Sequence, residues 1–231
     1  MRITVLTIFP DMFGDFLREP VIARALSRGI VKIEIVDIRE FAGGSFRHID
    51  DDPYGGGPGM VMRCGPVLDA LDSVRTQESF TAVMTPAGRK YTQKTAREFS
   101  ALEHLILICG HYEGLDERIL DHADGIYTIG DYVLTRGELP AKVVMDSVIR
   151  LLPGVLRAEA TLEESFERGI LEHPQYTKPA DWKGERVPEV LLSGDHEKIR
   201  AFRKQEALRI TGQRRPDLLN AEDQEPDSEN G

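Results

Sequence analysis

Glycine spacing is the first chemical signal in this sequence. Gly110-His-Tyr-Glu-Gly114 follows the apolar run Leu105–Cys109, and the loop from Gly130 to Gly137 follows Ile126–Ile129. Five consecutive apolar residues are the pattern of a strand buried on both faces, and glycines at its end let bare backbone approach a ligand. A third loop, Thr85-Pro86-Ala87-Gly88, ends the apolar stretch Thr81–Met84. Ligands of open α/β sheets sit beyond the carboxyl ends of strands, so three such loops can wall one small-molecule pocket. A further glycine-rich stretch, DDDPYGGGPGM (50–60), is no phosphate loop, because no lysine follows its glycines. Its three carboxylates, Asp50, Asp51 and Asp52, read either as a magnesium site or as a solvated turn ahead of Pro53.

The elements that must position these loops follow from periodicity. Arg2–Phe9 predicts a first strand, Met12–Ser27 a helix and Val31–Ile38 a second strand, the opening of an α/β domain with a largely parallel sheet. Helices are expected over Pro66–Val74, Thr92–Phe99 and Leu115–His122. The stretch from Ala141 to Leu152 predicts an amphipathic helix whose Ala141, Val144, Val148 and Leu151 stripe faces a core or a second subunit, with Arg150 off that stripe. Residues 158–173 are polar and acid-rich, the pattern of a linker or mobile loop. Val190–Leu192 reads as a strand, and Ser193 or Asp195 can cap a last helix, Glu197–Ile210. On that helix Arg200, Arg203 and Lys204 form one basic face, with Arg214 and Arg215 beyond it, either solvated or in contact with phosphate.

Composition sets the outer bounds. The 231 residues, 41% hydrophobic and 29% charged, are those of a globular chain with one sizeable core and room for a small second domain. No apolar run is long enough to span a membrane and no signal segment precedes Ile3, so no membrane partner is expected. Cys64 and Cys109 stand alone, without zinc or disulfide spacing, which implies a reducing, cytoplasmic compartment. The net charge of −10 is unevenly spread: residues 221–231 hold five acids and no base, a composition that predicts disorder. Without them 34 acids face 29 bases, and the segment from Lys198 to Asn220 carries seven bases against two acids.

Several motifs in order, DDDPYGGGPGM (50–60), TPAGRK (85–90), ICGHYEGLDER (108–118), TIGDYVLTRGELPA (128–141), DSVIRLLPGVL (146–156), EESF (163–166), HPQYTKP (173–179) and VPEVLLSGDH (187–196), resemble the bacterial tRNA (guanine-N1)-methyltransferases. Members of that family methylate the guanosine just 3′ of the anticodon, tRNA position 37. The resemblance implies an α/β, parallel-sheet domain of the SPOUT superfamily over residues 1–157, its C-terminal part threaded as a trefoil knot. It further implies a linker over 158–173, a small mainly helical tRNA-binding domain over 174–220, an acidic tail over 221–231, and a homodimer whose active sites use both chains.

S-adenosylmethionine is the cofactor that the resemblance implies. Its contacts would be Thr85, Pro86, Gly110, Tyr112, Glu113, Gly114, Ile129, Gly130, Asp131, Tyr132, Val133, Leu134, Gly137 and Pro140. Glu164 takes the place of the catalytic base and Arg150 that of the donor to O6. Magnesium, where used, would fall near Glu113. Asp50, Ser165, Arg200, Arg203, Lys204, Arg214 and Arg215 are the expected RNA contacts. The chain departs from the family pattern twice: Glu164 stands where the family carries aspartate, with Glu163 as an acid that could assist, and Arg136 stands where it carries glycine. A positive φ at that position would strain an arginine; otherwise its charge is available to the cofactor carboxylate or to RNA. The rivals to a guanine-N1 enzyme are a knotted methyltransferase acting on rRNA or ribose, and an RNA-binding protein that has lost catalysis.

Overall fold

The apolar run around Leu105 becomes the middle of a parallel sheet. A computed structural model describes residues 1–43, 48–157, 161 and 164–219, and the chain divides into two compact units, Met1–Arg157 and Ala158–Gly231. In the first unit the strands are β1 (Arg2–Thr7), β2 (Lys32–Asp37), the two-residue pair β3 (Asp50–Asp51) and β4 (Val61–Met62), then β5 (Ser79–Lys90), β6 (His104–Cys109) and β7 (Gly125–Thr128). Five of them form one sheet in the order β2-β1-β6-β5-β7, every pairing parallel. All six residues of β6 are buried.

Period-two alternation divides that strand between two cores. Leu105, Leu107 and Cys109 join Ile3, Val5, Phe13 and the buried faces of α1 (Pro20–Ser27), α3 (Gln93–Ser100) and α4 (Glu138–Ile149). Ile106 and Ile108 point the other way, to Leu6, Ile8 and the Val67, Ala70 and Leu71 face of α2 (Cys64–Val74). The expected stripe of α4 packs inward through Ala141, Val144 and Val148, while Leu139 and Val143 stay 45% and 46% exposed on the same helix.

Four elements differ from their expected form. The helix expected over Met12–Ser27 is two 3-10 turns, Pro10–Phe13 and Phe16–Arg18, followed by α1, because Pro20 holds Glu19 extended (φ −53, ψ 135). Leu115–His122 is a 3-10 segment, Glu117–His122, whose first turn is tied by the Asp116 carboxylate accepting from the Arg118 N–H. β5 does not end at Thr85: its register against β7 breaks between Met84 and Arg89, so Thr85–Gly88 bulges out and pairing resumes. Val190–Leu192 belongs to a short helix, α5 (Glu189–Leu192); three apolar residues carry too little periodicity to separate helix from strand.

The second unit holds a hairpin of β8 (Asp181–Trp182) and β9 (Glu185–Arg186), then α5 and α6 (His196–Arg214). Asp195 caps α6 by accepting from the N–H groups of Glu197 and Lys198. Residues 164–172 fold against that helix: Leu171 N–H donates to Thr211 Oγ1 at 3.0 Å and Glu172 N–H to Ser165 Oγ at 3.0 Å. Glu163 and the acidic tail over 221–231 lie outside the described residues.

Candidate functional site

A cleft of about 320 Å³ opens at the carboxyl ends of β6 and β7 and the bulge of β5. Three chain segments wall it: the β5 bulge with Thr85 and Pro86, the 110–114 loop after β6, and the 129–137 loop after β7. Of the expected cofactor residues, Thr85, Pro86, Gly110, Tyr112, Glu113, Gly114, Ile129, Tyr132, Val133, Leu134, Gly137 and Pro140 line it. Gly130 and Asp131 do not. Gly130 holds a turn in which Thr128 Oγ1 accepts from its N–H and donates to its carbonyl, and Asp131 pairs with Lys90 at 2.9 Å in the open.

Backbone, rather than side chains, sets the shape. β7 and β6 are not neighbours, since β5 lies between them, yet Gly137 N–H donates to Gly110 O at 2.8 Å. A Cβ on Gly137 would lie 2.6 Å from Gly110 N and 2.7 Å from the Cys109 Cα, so only glycine permits the contact. Gly88 is equally constrained, with the Tyr127 backbone where its Cβ would be. Tyr112 and Gly114 both take positive φ (59° and 141°), which turns the 110–114 loop sharply off the strand.

The long glycine-rich loop joins this wall. Glu113 N–H donates to Met60 O, Met62 N–H to Gly114 O and Asp116 N–H to Met62 O, each at 3.0 Å. Gly59, at φ +82, leaves room for the Glu113 side chain where a Cβ would strike it. Asp50 lies half-buried in the β3–β4 pair that carries the loop. The sequence pattern did not link these two loops, because their contact is made by backbone groups 52 to 54 positions apart. His111, Leu115 and Tyr127 also line the pocket without having been expected to, and so does Arg136, whose charge the departure from the family's glycine had left to the cofactor carboxylate or to RNA. Its φ is not positive, so the backbone accepts the arginine.

Charges around the pocket are unevenly held. Asp116 receives two bonds from the Arg118 guanidinium, at 2.9 and 2.7 Å, which hold its carboxyl well below the usual carboxylate range. Burial pushes the Cys109 thiol far up, as befits a small core residue rather than a nucleophile. Among the described residues no group of three or more His, Cys, Asp or Glu could hold a metal ion. Glu113 shares the pocket lining with Glu117 alone among the carboxylates, and Asp50–Asp52 do not form such a group either.

Arg150 caps the far end of α4, half-buried, its N–H bonded to the carbonyls of Asp146 and Val148. Glu164 is half-buried in a bend of the second unit, where its carbonyl accepts from Glu167 N–H at 3.3 Å. On α6, Arg200, Arg203 and Lys204 are exposed, and among the described residues none of them has an ion-pair partner. Arg214 is exposed as well, whereas Arg215 is bound to Asp217 at 2.9 Å and lies over the Phe166 ring.

Comparison with known proteins supplies the decisive observation. The family model described as tRNA (Guanine-1)-methyltransferase TrmD matches residues 1–221. The chain belongs to the tRNA (guanine-N1)-methyltransferase family. Relatives named tRNA (guanine-N(1)-)-methyltransferase are 50% identical in Geobacillus kaustophilus (95% of this chain, 92% of the relative) and 52% identical in Anoxybacillus flavithermus (95% and 91%). One from Listeria monocytogenes is 49% identical (95% and 92%).

The glycine contact that joins two walls of the pocket is directly testable. Gly137→Ala should destabilise the fold by about 1–3 kcal/mol through overpacking and lower ligand affinity with it. Gly65→Ala, at a helical glycine with nothing within 4 Å of its Cβ, should stay within about 1 kcal/mol of the parent. Denaturant melts of both variants make the comparison; equal effects would show that the backbone contact carries no special constraint.

Proposed function

We propose that this chain is an S-adenosylmethionine-dependent enzyme that methylates N1 of the guanosine 3′ of the anticodon, position 37 of tRNA. The observation that carries the reading is the glycine-walled pocket at the ends of two parallel strands and the bulge of a third, in a chain of this family. The pocket fits the cofactor's chemistry. Pro86, Leu115, Ile129, Leu134 and Pro140 offer apolar surface for a nucleoside, while Glu113, Glu117 and Arg136 offer charges of both signs for a zwitterionic end. When bound, S-adenosylmethionine supplies an electrophilic methyl group on a sulfonium. A magnesium ion, where used, would be held by Glu113 and Glu117, the two carboxylates of the lining, and would neutralise negative charge there.

Guanine N1 carries a proton and attacks poorly until that proton leaves. Glu164 accepts it, and Arg150 donates to O6, where the negative charge of the deprotonated base collects. The remaining contribution is alignment: a pocket of fixed backbone holds the methyl donor still while the base is brought in line. α4 spans 12 residues, so Arg150 stands about 18 Å along the helix axis from the end that borders the pocket. An arginine cannot reach across that distance. In a homodimer a second chain would bring its own Arg150 to the pocket, and the exposed Leu139 and Val143 on α4 are apolar surface suited to such a contact. The loop from Gly130 to Gly137 passes the end of β5 to dock on β6, as the trefoil knot of the family would require. tRNA is held by the exposed basic face of α6 in a C-terminal domain over 174–220, reached through the 158–173 linker. Asp50 and Ser165 add contacts to the RNA, and the work takes place in the cytoplasm.

Three expectations follow from this reading. Transfer of labelled methyl to unmodified tRNA, followed by nucleoside analysis, should yield N1-methylguanosine; Glu164→Gln and Arg150→Ala should each cut turnover by about 10²-fold or more while cofactor affinity is retained. Near-parental turnover in either variant would assign that role to another group. Neutralising Arg200, Arg203 and Lys204 together should weaken tRNA binding and flatten its salt dependence by up to about three counterions; an unchanged slope would return that face to plain solvation. Val143→Glu should turn a dimer into a monomer in sedimentation and remove turnover with it, whereas an intact dimer would place the contact elsewhere.

A further inference from the structure

Among the side chains that line the three-loop pocket, Arg136 is the only lysine or arginine. Its guanidinium lies 4.2 Å over the Phe9 ring, and its Nη1 is 3.4 Å from the Met12 sulfur. Both partners are soft and neutral. They orient the group without compensating its charge, and among the described residues no carboxylate lies within ion-pair distance of it. The platform is itself fixed: the His111 ring packs edge-on against Phe9 at 5.0 Å, and Arg39 lies over the same ring at 5.4 Å. A half-buried arginine on an apolar support is stabilised when an anion completes it.

We propose that Arg136 is the anion-binding residue of this pocket and pairs with the carboxylate at the amino-acid end of the cofactor. The assignment rests on the pocket being the S-adenosylmethionine site. That molecule carries an ammonium, a sulfonium and a carboxylate; the lining offers two glutamates and one arginine, the complementary set. A phosphate of the RNA backbone is the competing anion. Arg136 is half-buried beside the fully enclosed Gly137, whereas phosphate contacts are made by cations that stand out into solvent, as Arg200 does.

Calorimetric titration of the full chain with two nucleosides tests the pairing. S-adenosylhomocysteine keeps the carboxylate, and 5′-methylthioadenosine keeps adenosine and sulfur but lacks the amino-acid end. Arg136→Gln should raise Kd for S-adenosylhomocysteine about tenfold and leave that for methylthioadenosine within about twofold. Arg136→Lys, which retains the charge, should recover part of the loss. If Arg136→Gln lowers the melting temperature, Arg136→Met, with an apolar stem to cover Phe9, replaces it. No change for either nucleoside, or an equal loss of both in a variant of unchanged melting temperature, overturns the pairing while the pocket stands. Weaker binding of tRNA alone overturns it too and assigns the arginine to phosphate. Failure of the parent chain to bind either nucleoside would instead sink the pocket as the cofactor site.

Discussion

One close approach of backbone to backbone organises the first unit. Where Gly137 meets Gly110 and Cys109, the end of the central strand, the last wall of the pocket and the start of α4 are joined with no side chain between them. The next residue reinforces the joint. Glu138 is fully buried at the N-terminus of α4, and Thr7 at the end of β1 donates to its Oε1 at 2.6 Å. Its Oε2 is buried with no hydrogen-bond partner among the described residues. Three elements far apart in sequence are thus tied at one point of the pocket floor.

A rigid floor and open rim divide the work. Tyr132 and Val133 line the pocket but remain 54% and 84% exposed. Shape is imposed by glycine contacts that allow little adjustment, and only the outer residues are left for an arriving ligand to cover. Preorganised backbone of this kind costs nothing at the moment of reaction, which suits a methyl transfer that depends on alignment more than on reactive side chains. Arg150 and Glu164, the groups proposed to handle the proton, lie outside that lining, Arg150 at the opposite end of α4 and Glu164 in the other unit.

How far the sequence spoke depended on the range of the physics behind each signal. Strands such as His104–Cys109 and the stripe on α4 were legible because burial imposes a period on neighbouring residues. The three loops were legible because glycine at a strand end has few structural alternatives. Local chemistry also misled: Leu115–His122 has helical composition, but the Asp116 side chain offers its own backbone bonds and tightens the turn. The docking of the 55–60 loop on 113–116 left no trace, since hydrogen bonds between main-chain groups require no particular residue. The same is true of Tyr127 in the pocket lining, whose place depends on a register break in β5.

Charge illustrates the difference between a total and a field. At physiological salt, a solvent-exposed charge is screened beyond about 8 Å, so a phosphate on α6 responds to the side chains around it and hardly at all to the sum of −10. Two of the nearby acids are spent locally: Glu206 on α6 is held by Arg209 at 2.6 Å and its carboxyl is driven down by that guanidinium, while Asp217, just beyond the helix, is bound by Arg215. Among the described residues Arg200, Arg203 and Lys204, grouped within about two turns, are exposed without an ion-pair partner. An acidic protein can therefore present an RNA-binding face without contradiction, provided its carboxylates are paired or distant. The same reasoning applies inside the pocket, where Arg136 outweighs the net charge of the chain because its nearest partners are a ring and a thioether.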